Sequence, residues 1–447
     1  MTRGAARADR IARDRELART TGVEDAVRAR SILSILTMTV TLGCGPADRP
    51  PPPSIPEPTP VAEPASPPPA VSSVTTRTIA GCENGFADAP ALAETQLVWG
   101  PCTSSPDAGC RELDTASAMS VHVVASGTRE GPMLFVRIVS TTGEEEYVLG
   151  PPDGPARVVL TTHCTSRASM GAMAIGLDGA ALELHGPARE SVFLAGPFAP
   201  DASWQTPAAA YGREEFGEVI LGYPFAVAGR SIRAVDARQR IFRSSSSTSA
   251  FTAMPAHFRG TLGDAVAVGD ATIAVVETIP ETLVLQLGDA PPVAWYRPPR
   301  GGGVSAPAID GDTAYLLVGS GRDRNNGYAA IDVYGAPIPT STMPPVLQRV
   351  GATSAGSLHW MSNPVAGGGH VAWRAALDAE HAAIDVLDLV SSRRTRFVAP
   401  SSTGIANVLW VDDTELGVEV LHEDEAGSMT ARSWIWRVTL AGLPDAS

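Results

Sequence analysis

Five times between residues 224 and 419 the chain writes the same short phrase: "PFAVAGRSIRAV", "AVAVGDATIAVV", "PAIDGDTAYLLV", "PVAGGGHVAWRA" and "VLWVDDTELGVE". Each is a run of small apolar residues, a tight turn on Gly or Asp, and a bulkier run in which polarity alternates. Period two over stretches this short specifies strands, and a turn of one or two residues between them specifies an antiparallel hairpin. The turn positions Gly229, Gly269, Gly311, Gly368 and Asp412 lie 40, 42, 57 and 44 residues apart. A unit of that size cannot bury its own apolar face, so repeats must stack on one another. Sustained 3.6-residue periodicity is nearly absent from residue 73 onward, and 43 glycines with 38 prolines in 447 residues leave little room for long helices. The class is all-β.

A second strand pair follows each hairpin, plainest in "ETLVLQLGDAPPVAWYRPP" (281–299) and "HAAIDVLDLVSSRRTRFVAP" (381–400). Closing strands recur near residues 148, 193, 241, 295, 348, 397 and 437, at intervals of 40 to 54. Four strands per unit and about seven units look like a single β-propeller of the kind carried by many bacterial lipoproteins, covering residues 73–447. In such a ring the first strand of each blade lies at the crowded axis, where Ala, Gly and Val leave room for the next blade. The first unit, near 93–150, is the least regular, and ring closure is expected to borrow a strand there. Two β-sandwiches are the rival architecture, but they need no shared period. Neither the Gly-His/Trp-Asp signature of WD repeats nor a kelch pattern is present.

The chain before residue 73 reads differently. Arg28 and Arg30 flank the apolar run Ser31–Leu42, which is too short for the about 20 residues that span a bilayer and is of signal-peptide length. Its ending, "TLGC", resembles the bacterial lipobox, with Thr41 where Leu is usual. The resemblance implies that Cys44 is acylated and becomes the mature N-terminus, tying the protein to a lipid bilayer. Residues 1–43 are then the signal region, with 1–26 a lead-in that a start near Val27 would remove. An ordinary secretory signal is the plainer alternative. Residues 44–72 form a linker in which Pro46–Pro69 holds 12 prolines in 24 residues, an extended stalk of roughly 70 Å at polyproline rise. The implied address is the cell envelope, lipid-anchored in the outer membrane or facing the periplasm. Four cysteines remain for that oxidising compartment: Cys82, Cys102, Cys110 and Cys164. Three pairings are open; the short "CTSSPDAGC" loop favours Cys102 with Cys110, leaving Cys82 with Cys164.

Charge and composition remove several chemistries. Net charge is −14, and near −17 once residues 1–43 with eight Arg and five acidic side chains are gone, a surface that repels nucleic acid. All 34 basic residues are arginine, so neither a Schiff-base lysine nor a Walker-type phosphate loop is available. The eight histidines are scattered, with no pair at ligand spacing. "GATSAGS" around Ser354 lacks the helix of a hydrolase elbow. Asp323, Asn325 and Gly327 fall in loose calcium-loop order without the closing Glu, and the acidic stretches 143–147 and 422–427 read as solvated hairpin tips. No metal and no cofactor are expected. What remains is a tethered monomer whose propeller binds or scaffolds a protein or glycan. The alternative is a secreted hydrolase or lyase, which would require acidic residues such as Asp264, Asp310 and Asp312 to converge at the central channel.

Overall fold

The computed structural model describes residues 82–87, 95–102, 109–113, 118–128, 131–140, 144–164, 169–175, 179–185, 191–197, 209–210, 221–228, 230–236, 240–246, 249–257, 260–277, 281–322, 327–352, 362–376, 382–400, 403–423 and 429–446. The signal region, Cys44 and the proline tract lie outside them. Among the described residues every regular element is a strand, and the strands form a single β-propeller.

The hairpins fold as their turn residues require. Gly269, Gly311 and Gly368 take φ of 54°, 55° and 59°, the left-handed region where a side chain is strained. Asp412 reaches the same end differently: its Oδ1 accepts the N–H groups of Thr414 and Glu415, both at 2.7 Å, closing an Asx turn. These hairpin tips also touch one another. A Cβ on Gly368 would run into the backbone of Asp412 and Asp413, and the Gly369 N–H donates to Asp310 Oδ2 at 3.1 Å. At Gly367 and Gly368 a side chain is excluded because the next blade is there.

The inner strands pack in succession around the ring. Ala118–Thr128 lies against Ser169–Ile175, that strand against Leu221–Ala228, and that against Thr261–Val268; Ala308–Asp310 lies against Val365–Gly367, then Thr403–Val411, which returns to Ala118–Thr128. The hydrophobic core is a series of slabs between neighbouring blades. Ile273, Leu283, Leu285 and Trp295 meet Ala314, Leu316 and Val318 in one; Val371, Trp373 and Leu387 meet Leu317, Ile331 and Val333 in the next.

Among the described residues the strands of this ring form six sheets, where the repeat predicts about seven blades. The difference arises at closure, where a single pairing, Ser433 with Val121, hydrogen-bonds the last unit to the first and fuses them into one eleven-stranded sheet. The borrowed strand is present. Cys110–Leu113 pairs antiparallel with Met429–Thr439, setting Cys110 opposite Val438 and Glu112 opposite Trp436. Buried Glu112 accepts the Trp436 indole N–H at 2.8 Å. Buried Arg437 bridges Asp153 and Glu415, and its guanidinium lies 5.1 Å from the centroid of the Trp99 ring. The Cys102–Cys110 disulfide stands at the start of the closing strand, with both cysteines buried. Cys82 and Cys164 are directly opposite in register where Cys82–Ala87 pairs with Pro155–Cys164.

Removing the Glu112 carboxylate leaves a buried indole N–H without its acceptor. Glu112→Ala is therefore expected to cost about 1–3 kcal/mol, read as a lower urea midpoint by tryptophan fluorescence. Glu419, on the same sheet, supplies a pH prediction. Burial pushes its carboxyl above the ordinary 4.5, outweighing the hydrogen bonds from Asn407 and Ser433. The folded chain then holds this proton more tightly than the unfolded one. Its stabilising effect is complete below the unfolded pKa and is lost as pH rises through the folded value. Glu419→Gln should flatten that decline and raise the midpoint at pH 7, in melts run from pH 4 to pH 8.

Candidate functional site

Thr261–Val268 is followed around the ring by a broken inner strand, Gly303–Val304 and Ala308–Asp310. An open cleft of about 320 Å³ lies at this junction. Three successive blades line it. Asp264 and Glu277 come from the first, Ser305 and Arg322 with Tyr328 from the second, and Ser362 and Asn363 from the approach to the third; Glu281 stands at the start of the Thr282–Leu287 strand.

Asn363 holds the blades in place. Its Nδ2 donates to Asp264 Oδ2 at 2.7 Å and its Oδ1 accepts the Ala306 N–H at 3.2 Å, so one amide spans all three. Ser305 closes the broken strand locally: its Oγ accepts the Leu317 N–H at 2.9 Å while its own N–H donates to the Leu317 carbonyl at 3.0 Å. Tyr328 forms a buried wall. It sits on Gly303 and Gly319, register partners whose Cβ atoms would occupy the space of the phenol ring. Burial, then the nearby Glu281 carboxylate, raises the Tyr328 pKa against the opposing effect of Arg322, so the phenol stays protonated. The Arg322 guanidinium lies 5.6 Å from that ring's centroid and 3.7 Å from Glu281.

Chemically the cleft combines three carboxylates with one guanidinium and an aromatic wall. Arg322 is committed to Glu281, which leaves Asp264 and Glu277 as an acidic rim open to solvent. Among the described residues no group of three or more His, Cys, Asp or Glu gathers to hold a metal.

The acidic residues singled out in the sequence do not converge. Asp264 lines the cleft, but Asp310 accepts the Gly369 N–H at the opposite end of its strand. Ala306, beside Asn363, is four residues from Asp310, about 13 Å of extended chain. Asp312, one residue beyond Gly311, follows Asp310 into that far turn. The physical reason is polarity along the strand: Asp264 lies within an inner strand, whereas Asp310 and Asp312 flank a hairpin tip. Ser354, Asp323 and Asn325 lie outside the described residues. Arg322, Tyr328 and Asn363 carry the site and were not singled out by motif; the facing glycines in "GGGV" and "VGSG" were the available signal.

No family model and no curated protein matches this sequence. Solved structures match in shape alone. YCF48 from Cyanidioschyzon merolae aligns at TM-score 0.45 and 11% identity, over 75% of this chain and 100% of that one. BamB from Moraxella catarrhalis aligns at 0.35 and 11%, over 78% and 92%. The β-propeller domain of the Trilobed protease from Pyrococcus furiosus aligns at 0.40 and 9%, over 58% and 80%. What makes the chain a propeller is its own sheet topology.

A methyl group on Gly319 would displace Tyr328 from its slot. Gly319→Ala is expected to destabilise the fold by about 1–3 kcal/mol in denaturant titrations. The double change Gly319→Ala with Tyr328→Leu should recover part of that loss, because the smaller ring-free side chain vacates the space.

Proposed function

We propose that this protein is an exported lipoprotein, tethered through acylated Cys44 and a proline stalk, whose propeller docks a protein partner at the three-blade cleft. The observation that carries the docking site is the acidic rim of Asp264 and Glu277 beside a buried aromatic wall, in a cleft of about 320 Å³. That combination suits an arginine or lysine side chain on a partner surface: carboxylates pair with the cation and the Tyr328 face packs along its stem. A neutral glycan would use the aromatic wall but leave the two carboxylates uncompensated.

The tether rests on the "TLGC" ending and the prolines behind it. An oxidising destination is supported by the buried Cys102–Cys110 bridge and by the register that sets Cys82 opposite Cys164.

Two measurements test this reading. Metabolic labelling with an alkynyl palmitate should mark the wild-type protein and leave Cys44→Ala unlabelled; equal labelling of both rules out Cys44 as the acylated residue. Crosslinking on intact cells should give a partner adduct that Asp264→Asn with Glu277→Gln reduces at least tenfold, with melting temperature unchanged. An adduct indifferent to both substitutions moves the docking surface elsewhere.

A further inference from the structure

A second polar site is buried between the blade spanning Leu221–His257 and the blade spanning Thr261–Tyr296, and it is independent of both the cleft and the tether. Arg233 is only 1% exposed, yet its Nε and Nη1 have no hydrogen-bond partner. Thr272 Oγ1 and Gln286 Oε1 are equally buried and equally unpartnered.

These groups lie on the strand faces that border one slab. Arg233 shares its strand face with Val235, and Thr272 shares its face with Ala274 and Val276. Val235, Ala274 and Val276 belong to one buried cluster, with Val284 packed against it and Gln286 on the Val284 face. Thr272 and Gln286 are register partners, and Gln286 Nε2 reaches across to Met254 Sδ of the other blade at 3.6 Å. Arg243 stands directly opposite Arg233 in register.

An unpaired guanidinium out of water costs several kcal/mol, and buried polar groups are ordinarily satisfied. Burial, followed by repulsion from Arg243, lowers the Arg233 pKa to about 10, so the side chain remains a cation at neutral pH. The anions that act on it, Asp270 and Asp289, do so through space without bonding to it, and Asp289 is paired with Arg243 at 3.1 Å. Water could fill the hydrogen bonds but would leave the charge uncompensated. A small anion supplies both. The Thr272 hydroxyl can donate to it, and the Gln286 amide can do so too if turned end for end, giving up only its long contact to sulfur.

We propose that this inter-blade junction is a binding site for one small spherical anion of the halide class, held by Arg233 Nε and Nη1 and the Thr272 hydroxyl. The ion cements two neighbouring blades by neutralising a charge that neither blade pairs on its own.

The test is halide-dependent melting of the whole protein at constant ionic strength, exchanging gluconate for chloride or bromide. Because a ligand bound only by the folded state stabilises with the logarithm of its concentration, the melting temperature should rise by about 2 °C for each tenfold increase in chloride. Arg233→Met should abolish that dependence and melt no lower than wild type in gluconate. Thr272→Val, which keeps the charge and the shape, should weaken the dependence and serves if the arginine variant does not fold. Bromide-soaked crystals should give an anomalous peak beside Arg233. Identical melting in gluconate and chloride, or only water beside Arg233 at 0.1 M bromide, overturns the proposal.

Discussion

Ring closure is the constraint on which everything else in this propeller depends. A stack of blades has two ends, and each end presents an unpaired edge and an uncovered apolar face unless the chain returns to itself. Here Cys110–Leu113 runs beside Met429–Thr439, joining positions more than three hundred residues apart through the Trp436–Glu112 hydrogen bond. Arg437 reinforces the seam by reaching Asp153 in the first unit and Glu415 in the last. Open the seam and the slab formed by Val418, Val420, Trp436 and Val438 loses one of its edges.

Closure also explains the merged sheet. The first and last units meet across an apolar slab of Leu134, Val136, Leu409, Trp410 and Ile435, as other blades do, and are also joined along a hydrogen-bonded edge at Ser433 and Val121. Opposite demands act at the cleft, where the inner strand breaks between Val304 and Ala308 and neighbouring blades are joined by side chains. A gap bridged by one asparagine keeps the Asp264 and Glu277 carboxylates within reach of solvent, while a fully packed junction would bury them unpaired.

The buried charges follow a common logic. Asp385, fully buried, is matched by two contacts from Arg396 at 2.5 and 2.9 Å, and that pairing raises the arginine's pKa against the effect of burial. Arg437 is matched by two carboxylates. Arg233 alone among these buried charges has no such match for Nε and Nη1.

Much of the architecture could be read from residue order because it is enforced locally. Gly269, Gly311 and Gly368 had to be turns since only glycine accepts their backbone angle at little cost, and Asp412 announces its turn by the two N–H groups its side chain can hold. The short loop between Cys102 and Cys110 made that pairing the cheapest to close, and it is the one formed. Residue order could not say how many sheets the repeats make, because one cross-ring pairing decides it. Nor could it assemble the cleft: Asp264 and Asn363 are 99 positions apart, and their meeting depends on how far each blade rotates about the axis. Strand identity is written in periodicity and turn chemistry, which act over a few residues. The placement of Asp310 away from Asp264, and of Arg233 against Thr272, is settled only when whole blades pack, since the energy that sets it belongs to surfaces contributed by both.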